Sequence, residues 1–386
     1  MYDVVIIGGG AAGLSAALQA AENGCNVKLV SSLPSERAQS VMAEGGINAA
    51  LNTKDENDSP EEHFTDTIKA ACGLADPNAV WGMTQAAPEL VHWLLKLGVK
   101  FNMSGYDDVD LRNFGGQKKK RTAFAQSDTG KQIMTAMIDA VRRKEASGMV
   151  ERFSHHSFLT LRLCGNICCG CVIRDEYSQE TVELPGDAVI VATGGMHGLF
   201  GNTTGSLSNT GEVTAELFRL GVPLANGEMI QYHPTTVKCG GKRMLISEAA
   251  RGEGGRLFAM KDGKQWYFME EKYPELGNLM PRDITAREIW KVSHESEVFL
   301  DMAEISDEII SNKLSGLADD CMTYLHKDIR KEPVSVLPGI HYFMGGILVD
   351  EQHRTPIQNL YAAGECCAQY HGANRLGGNS LLGALY

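Results

Sequence analysis

The opening segment constrains this chain more than any other. Tyr2-Asp3-Val4-Val5-Ile6-Ile7 is an apolar run of the kind found in strands buried on both faces, and it passes directly into Gly8-Gly9-Gly10-Ala11-Ala12-Gly13. The G-x-G-x-x-G spacing lies between a strand and an Ala-rich helix, where glycines let the backbone approach a pyrophosphate at the helix N-terminus. Gly8, Gly10, Ala12 and Gly13 are therefore candidate cofactor contacts. The pattern predicts a helix over residues 11–23, stopped near Gly24, and a second strand over Asn26–Ser31. A chain that begins this way is directed to an α/β fold with a dinucleotide at the strand ends.

At 386 residues there is material for two packed domains, and 43% hydrophobic with 22% charged residues is the composition of an ordinary globular protein. The net charge of −12 opposes nucleic acid or an anionic membrane as partner. The one basic run, Lys118-Lys119-Lys120-Arg121, reads as a solvated loop edge. The first strand leaves no room for a leader, and no apolar stretch approaches the roughly 20 residues of a bilayer span. The expectation is a cytoplasmic protein, peripheral to a membrane only through a partner subunit. Ten cysteines are scattered through the chain. Cys164, Cys168, Cys169 and Cys171 sit around a Gly165-Asn166 turn, a hairpin signature that puts neighbouring thiols on opposite faces, so no metal site is expected.

The second strand ends in Ser31-Ser32, without the acid that grips the ribose of NAD. Two further strands end in turns, Asp187 to Gly195 with Ala192-Thr193-Gly194, and Asn359 to Glu365 with Gly364-Glu365. Both are similar to the turns of two-dinucleotide-binding flavoproteins, which favours FAD. Elsewhere the chain carries Gln231-Tyr232-His233-Pro234-Thr235, Ser247-Glu248-Ala249-Ala250-Arg251, Pro281-Arg282-Asp283, His341-Tyr342-Phe343-Met344-Gly345-Gly346 and His371-Gly372-Ala373-Asn374-Arg375. Imidazoles, guanidinium groups and a hydroxyl are the donors needed to clamp a small dicarboxylate.

Taken together, the motifs resemble the flavoprotein subunit family of fumarate reductase, succinate dehydrogenase and L-aspartate oxidase, over residues 2–386. The resemblance implies a Rossmann-like, two-dinucleotide-binding FAD domain (1–233 plus 346–386) interrupted by an α+β capping domain (234–345). The family's C-terminal helical region is absent from the sequence, which ends at Tyr386 within a helix-like run. It implies His233, Ser247, His341 and Arg375 as carboxylate-binding groups, Arg282 as proton donor, and Glu248 and Arg251 as its relay. A guanidinium has a pKa above about 12, so the residues alone would make Arg282 a third clamp. The resemblance further implies cofactor contacts at Ser31, Ser40, Gly45, Gly46, Ala192, Thr193, Gly194, Glu365, Arg375, Ser380 and Leu381. Gln39 stands where covalently flavinylated relatives carry histidine, and an amide cannot form that bond, so non-covalent FAD and a bias toward fumarate reduction are expected. The resemblance also implies an electron source, such as an iron–sulfur or haem partner; no cysteines here have ferredoxin spacing, so no cluster is expected in this chain.

Two alternatives stay open. L-Aspartate oxidases place a glutamate before a double glycine to receive the substrate ammonium, whereas this chain has Phe114-Gly115-Gly116. The other is a flavin-carrying electron-transfer subunit without chemistry of its own.

Overall fold

The computed structural model describes residues 2–106 and 108–386. Its first sheet has β1 (Asp3–Ile7) at the centre, flanked by β2 (Asn26–Ser31) and the strand Ala188–Val191, with Val150–Ser154 and Leu360–Ala362 at the edges. Every pairing is parallel, with Ile6 level with Leu29 on one side and Ile190 on the other. Val5 and Ile6 are fully buried, which is what an unbroken aliphatic run achieves when both faces of a sheet are covered. Helix α1 (Ala11–Glu22) follows β1 directly, so the expected strand–turn–helix is present with its bounds displaced by at most a residue.

Glycine is required at the turn for a geometric reason. Gly8 has φ +125°, and a Cβ there would lie 2.1 Å from the Ala192 carbonyl oxygen. A Cβ on Gly13 would lie 1.8 Å from the Gly8 carbonyl oxygen, so α1 approaches the turn as closely as backbone allows.

The cysteine-bearing segment is the expected hairpin. Strand His156–Cys164 turns through Gly165 and Asn166 into Ile167–Asp175, which pairs on its far side with Thr181–Pro185. Cys168 and Cys171 face the core beneath the first sheet, while Cys164 is exposed.

A second hydrophobic core is built from residues between Val237 and Val336, with Phe114 reaching in from the N-terminal part. Around it stand a three-stranded sheet, Lys242–Leu245, Ile230–Cys239 and Leu337–Phe343, and a four-stranded one centred on Arg256–Lys261 and Val298–Asp301. Strands Ile230–Cys239 and Leu337–Phe343 run antiparallel side by side, one entering this body and the other leaving it. Pro234 has no N–H to give the ladder, and the pairing register shifts between His233 and Thr236. Among the described residues, no helix is long and apolar enough to cross a membrane.

One expectation fails here. Arg121 is not part of a solvated edge; it is fully buried and is among the largest buried side chains. Its Nη2 and Nε bond Asp58 at 2.8 and 3.1 Å, and its Nη1 bonds Asp66 at 2.9 Å. Two buried carboxylates offset the burial of one guanidinium, a pairing the local basic run does not reveal.

Candidate active site

A single cavity runs from the glycine turn of β1 to the paired strands of the second body. Near the turn it is lined by Gly8 to Ala12, Ser31, Gln39, Ser40, Gly45, Gly46 and Ala192 to Gly195. Glu365, Arg375, Ser380 and Leu381 also line it, and at the far end so do Phe114, His233, Ser247, Glu248, Arg282 and His341. The residues expected to touch cofactor and substrate are thus drawn to one space, with two exceptions. Gly13 is not a lining residue; its role is the tight packing of α1. Arg251 lies behind Glu248 and does not reach the cavity wall.

The end near the turn fits a dinucleotide. Parallel strands β1, β2 and Ala188–Val191 all present their carboxyl ends there, where α/β sheets bind such ligands. A Cβ on Gly9 would lie 2.9 Å from Ser35 Oγ and 3.2 Å from Ser31 Cβ, so only a bare backbone leaves the channel open. Ser31 Oγ is buried and finds no partner among the described residues. The Ala11 amide, the first of α1, donates to Ser40 Oγ at 3.2 Å, which ties the loop carrying Gln39 to the helix N-terminus.

At the far end the geometry is set by the two antiparallel strands and the helix Arg282–Val292 packed on them. His233 and His341 come from facing strands, with ring centroids 5.1 Å apart. Nδ1 of His341 meets Thr204 Oγ1 at 2.8 Å, and the Thr235 amide donates to Nδ1 of His233 at 3.3 Å. Burial first, then the charge of Arg282, holds both imidazoles well below the ordinary histidine range. Ser247 caps the short helix Glu248–Gly252.

Arg282 is nearly fully buried, and its Nε and Nη2 both reach Glu248 Oε2, at 2.7 and 2.6 Å. The Glu248 Oε1 atom accepts the Gly115 amide at 2.9 Å and lies 3.7 Å from Arg251 Nη2. Burial alone would raise the Glu248 pKa, but Arg282 and Arg251 outweigh it and hold the carboxyl below its usual range. Arg375 is buried with Nε and Nη2 unpartnered among the described residues, and its guanidinium lies 4.3 Å from the Tyr342 ring centroid. Burial, reinforced by Arg282, pushes its pKa down to about 9. Buried donors with free hydrogens are costly unless an acceptor completes them, so this end of the cavity offers what an anion needs.

Some working parts carried no signal in the motifs. Gln231 Oε1 accepts from Arg282 at 3.1 Å, while its Nε2 donates to the Arg375 carbonyl at 2.7 Å and to Asn374 Oδ1 at 2.9 Å. One amide thereby fixes the distance between the two arginines. Thr204 and Tyr342 act similarly on His341 and Arg375. Gln231 and Tyr342 lie inside motifs recognised for their neighbours, and only tertiary pairing gives them a task.

The FAD binding domain family matches residues 3–381. The succinate dehydrogenase flavoprotein subunit of Bacillus subtilis is 44% identical over 392 aligned residues, covering 99% of this chain and 67% of that protein. The L-aspartate oxidase of Nostoc sp. is 35% identical, covering 99% of this chain and 65% of that one. A variant of E. coli quinol fumarate reductase FrdA superposes with a TM-score of 0.92 at 30% identity, covering all of this chain and 68% of that one. The chain therefore spans about two thirds of the length of these relatives.

Proposed function

This chain belongs to the FAD binding domain family, as an oxidoreductase of the fumarate reductase and succinate dehydrogenase flavoprotein type, and from that premise we propose that it reduces fumarate, or a closely similar dicarboxylate, to the saturated acid. FAD, when bound along the cavity, supplies the hydride. The chain's own residues supply the rest. Arg375, His341, His233 and Ser247 hold the two carboxylates, and Arg282 delivers a proton to the carbon opposite the hydride. Glu248 and Arg251 stand behind it as the route of reprotonation.

The observation that carries this reading is the buried line from Arg282 through Glu248 to Arg251, whose first member opens on the clamp. The Glu248 carboxylate offsets the burial of Arg282, and Arg251 behind it extends the pair into a line along which a proton can pass. Fixed positive charge in a site closed to water is where a developing anionic centre gains most. We place the domain division at residues 233/234 and 345/346, so that the clamp draws on both parts.

FAD is held non-covalently in this reading, because Gln39, on the cavity wall, has no nucleophilic ring nitrogen. Electrons come from a separate partner, of iron–sulfur or haem type, and any membrane attachment is through that partner. The deciding experiment mixes the protein anaerobically with reduced viologen and follows its oxidation on adding fumarate. Rapid oxidation in the wild type and its loss in Arg282→Ala is the expected result. A chain that binds FAD but oxidises no viologen with fumarate is a carrier or acts on another acid.

L-Aspartate oxidation is the second reading, and Phe114 weighs against it. Its ring lies on the cavity wall against Gly45, where an added Cβ would meet the ring at 2.9 Å. A phenyl ring carries no charge to pair with a substrate ammonium, where a glutamate would. Hydrogen peroxide made from L-aspartate in air would overturn the fumarate assignment.

A further inference from the structure

His197 has no part in the clamp, yet it is almost completely buried and both its ring nitrogens are engaged. Nδ1 lies 2.8 Å from Thr203 Oγ1, and Nε2 lies 3.1 Å from Glu365 Oε1. A carboxylate only accepts, so Nε2 carries the hydrogen, and in the neutral ring Nδ1 is left to accept the hydroxyl hydrogen of Thr203. Thr203 Oγ1 in turn accepts the Gly205 amide at 3.0 Å. With the ring neutral, the chain Gly205, Thr203, His197, Glu365 runs in one direction throughout. Glu365 Oε1 receives a second donor, the Phe343 amide, at 3.0 Å. Both donors fall on one oxygen, and among the described residues none falls on Oε2, although Glu365 lines the cavity.

The fit around this bridge is close. A Cβ on Gly205 would lie 2.2 Å from the imidazole, and a Cβ on Gly195 would lie 2.6 Å from Glu365 Oε1. The Phe343 ring stands edge-on to the imidazole with centroids 5.0 Å apart. The carboxylate therefore cannot swing without losing two donors.

We propose that His197, oriented by Thr203, is a positioning residue that fixes Glu365 so that its second oxygen accepts a hydroxyl of the bound flavin nucleotide. A polyhydroxyl ligand offers donors, and a carboxylate with one oxygen already saturated presents the other in a single direction. The next residue, Thr204, holds His341 at 2.8 Å. Two adjacent threonines thus divide the work, one serving the cofactor acid and the other the dicarboxylate clamp. The inference rests on the FAD part of the function proposed above and not on the identity of the acid reduced.

The test is a titration of FAD into the flavin-free full chain, without substrate, followed by flavin fluorescence. His197→Leu is expected to weaken FAD binding about tenfold, the scale of one hydrogen bond to a charged group. His197→Gln, which keeps a donor and an acceptor on one side chain, is expected to recover most of that loss. In a Glu365→Ala background, His197→Leu should cost less than twofold, because the residue acts through the carboxylate. Thr203→Val should weaken FAD and Thr203→Ser should not, which gives a second pair of variants should His197→Leu fail to fold. An equal loss from His197→Leu with and without Glu365, no rescue by His197→Gln, or equal affinity of Thr203→Val and wild type would each overturn the proposal. Normal FAD affinity changes in a chain that does not reduce fumarate would leave this inference standing and sink only the substrate assignment.

Discussion

Arg282 and Glu248 meet through two nitrogens on a single carboxylate oxygen, at 2.7 and 2.6 Å, while the other oxygen is occupied by the Gly115 amide at 2.9 Å. The carboxylate is thus locked in place, and the guanidinium keeps Nη1 for Gln231 at 3.1 Å. Replacing Glu248 by Gln keeps the shape and removes the acceptor that a proton relay needs. We expect kcat for fumarate to fall about a hundredfold or more, in the range typical of general acid–base groups. Binding of malonate, an unreactive dicarboxylate, should change less than about threefold because the clamp donors remain. A variant with unchanged kcat would show that Glu248 only braces Arg282.

The clamp histidines give a pH prediction with a definite sign. Burial and neighbouring arginines hold His233 and His341 well below the ordinary range, so both are neutral near pH 7 in the free site. A bound dianion favours the protonated rings and raises their pKa. Proton uptake should accompany binding, and malonate affinity should rise as the pH falls from 8 toward 6. Calorimetry in two buffers of different ionisation enthalpy reads the uptake directly. Equal apparent enthalpies would show that the rings stay neutral.

Non-covalent attachment is checked by denaturation. With Gln39 at the only position the sequence singles out for a flavin link, acid precipitation should release all the yellow chromophore into the supernatant. Flavin remaining with the pellet would place a covalent bond at some other residue.

The parts of this molecule legible in the sequence share a physical property: they are local. The strand and glycine turn at residues 2–13 follow from chain stiffness and the absence of a Cβ, and their neighbours in sequence are their neighbours in space. The hairpin through Gly165 and Asn166 is read the same way. The clamp residues were legible only because each lies within a recognisable motif; nothing in the spacing between His233 and His341 says that their rings stand 5.1 Å apart. What stayed hidden are side-chain pairs whose partners lie far along the chain. His197 and Glu365 are 168 positions apart, and Gln231 meets the Arg375 carbonyl across 144. The burial of Arg121 is hidden for the same reason, because its carboxylates lie 63 and 55 positions before it. Charge runs describe a segment's own composition, whereas burial is decided by what folds over it.

The Arg121 triad yields a stability prediction. Arg121→Met would leave Asp58 and Asp66 buried without a counter-charge, and burial already raises Asp58 before Arg121 lowers it. Removing one partner of a buried ion pair costs about 3–5 kcal/mol, so the urea midpoint of the variant should fall sharply. The triple change Arg121→Met with Asp58→Asn and Asp66→Asn should recover much of the loss. A single variant as stable as wild type would mean that water reaches the carboxylates.

Glu44 supplies the last prediction. It lines the cavity beside Gly45 and Gly46, and its Oε2 is buried with no partner among the described residues. Burial, then the charges of Asp320 and Asp128, pushes its pKa up to about 8, against which Ser247 and Arg112 act in the other direction. The folded chain therefore holds this proton more tightly than the unfolded chain, where the ordinary value is 4.5. Between those two values the native state binds more protons, so stability falls as the pH rises through that window and levels off above about 8. A glutamine at this position cannot titrate and keeps nearly the same volume. The unfolding free energy of Glu44→Gln, measured by urea titration of the flavin-free chain from pH 5 to 9, should gain steadily on wild type as the pH rises. The gap should be smallest at the acid end, where the folded side chain is neutral in both proteins and the unfolded Glu44 is nearest its own pKa. Parallel curves across the range would show that solvent entering the cavity keeps the Glu44 carboxylate hydrated and charged.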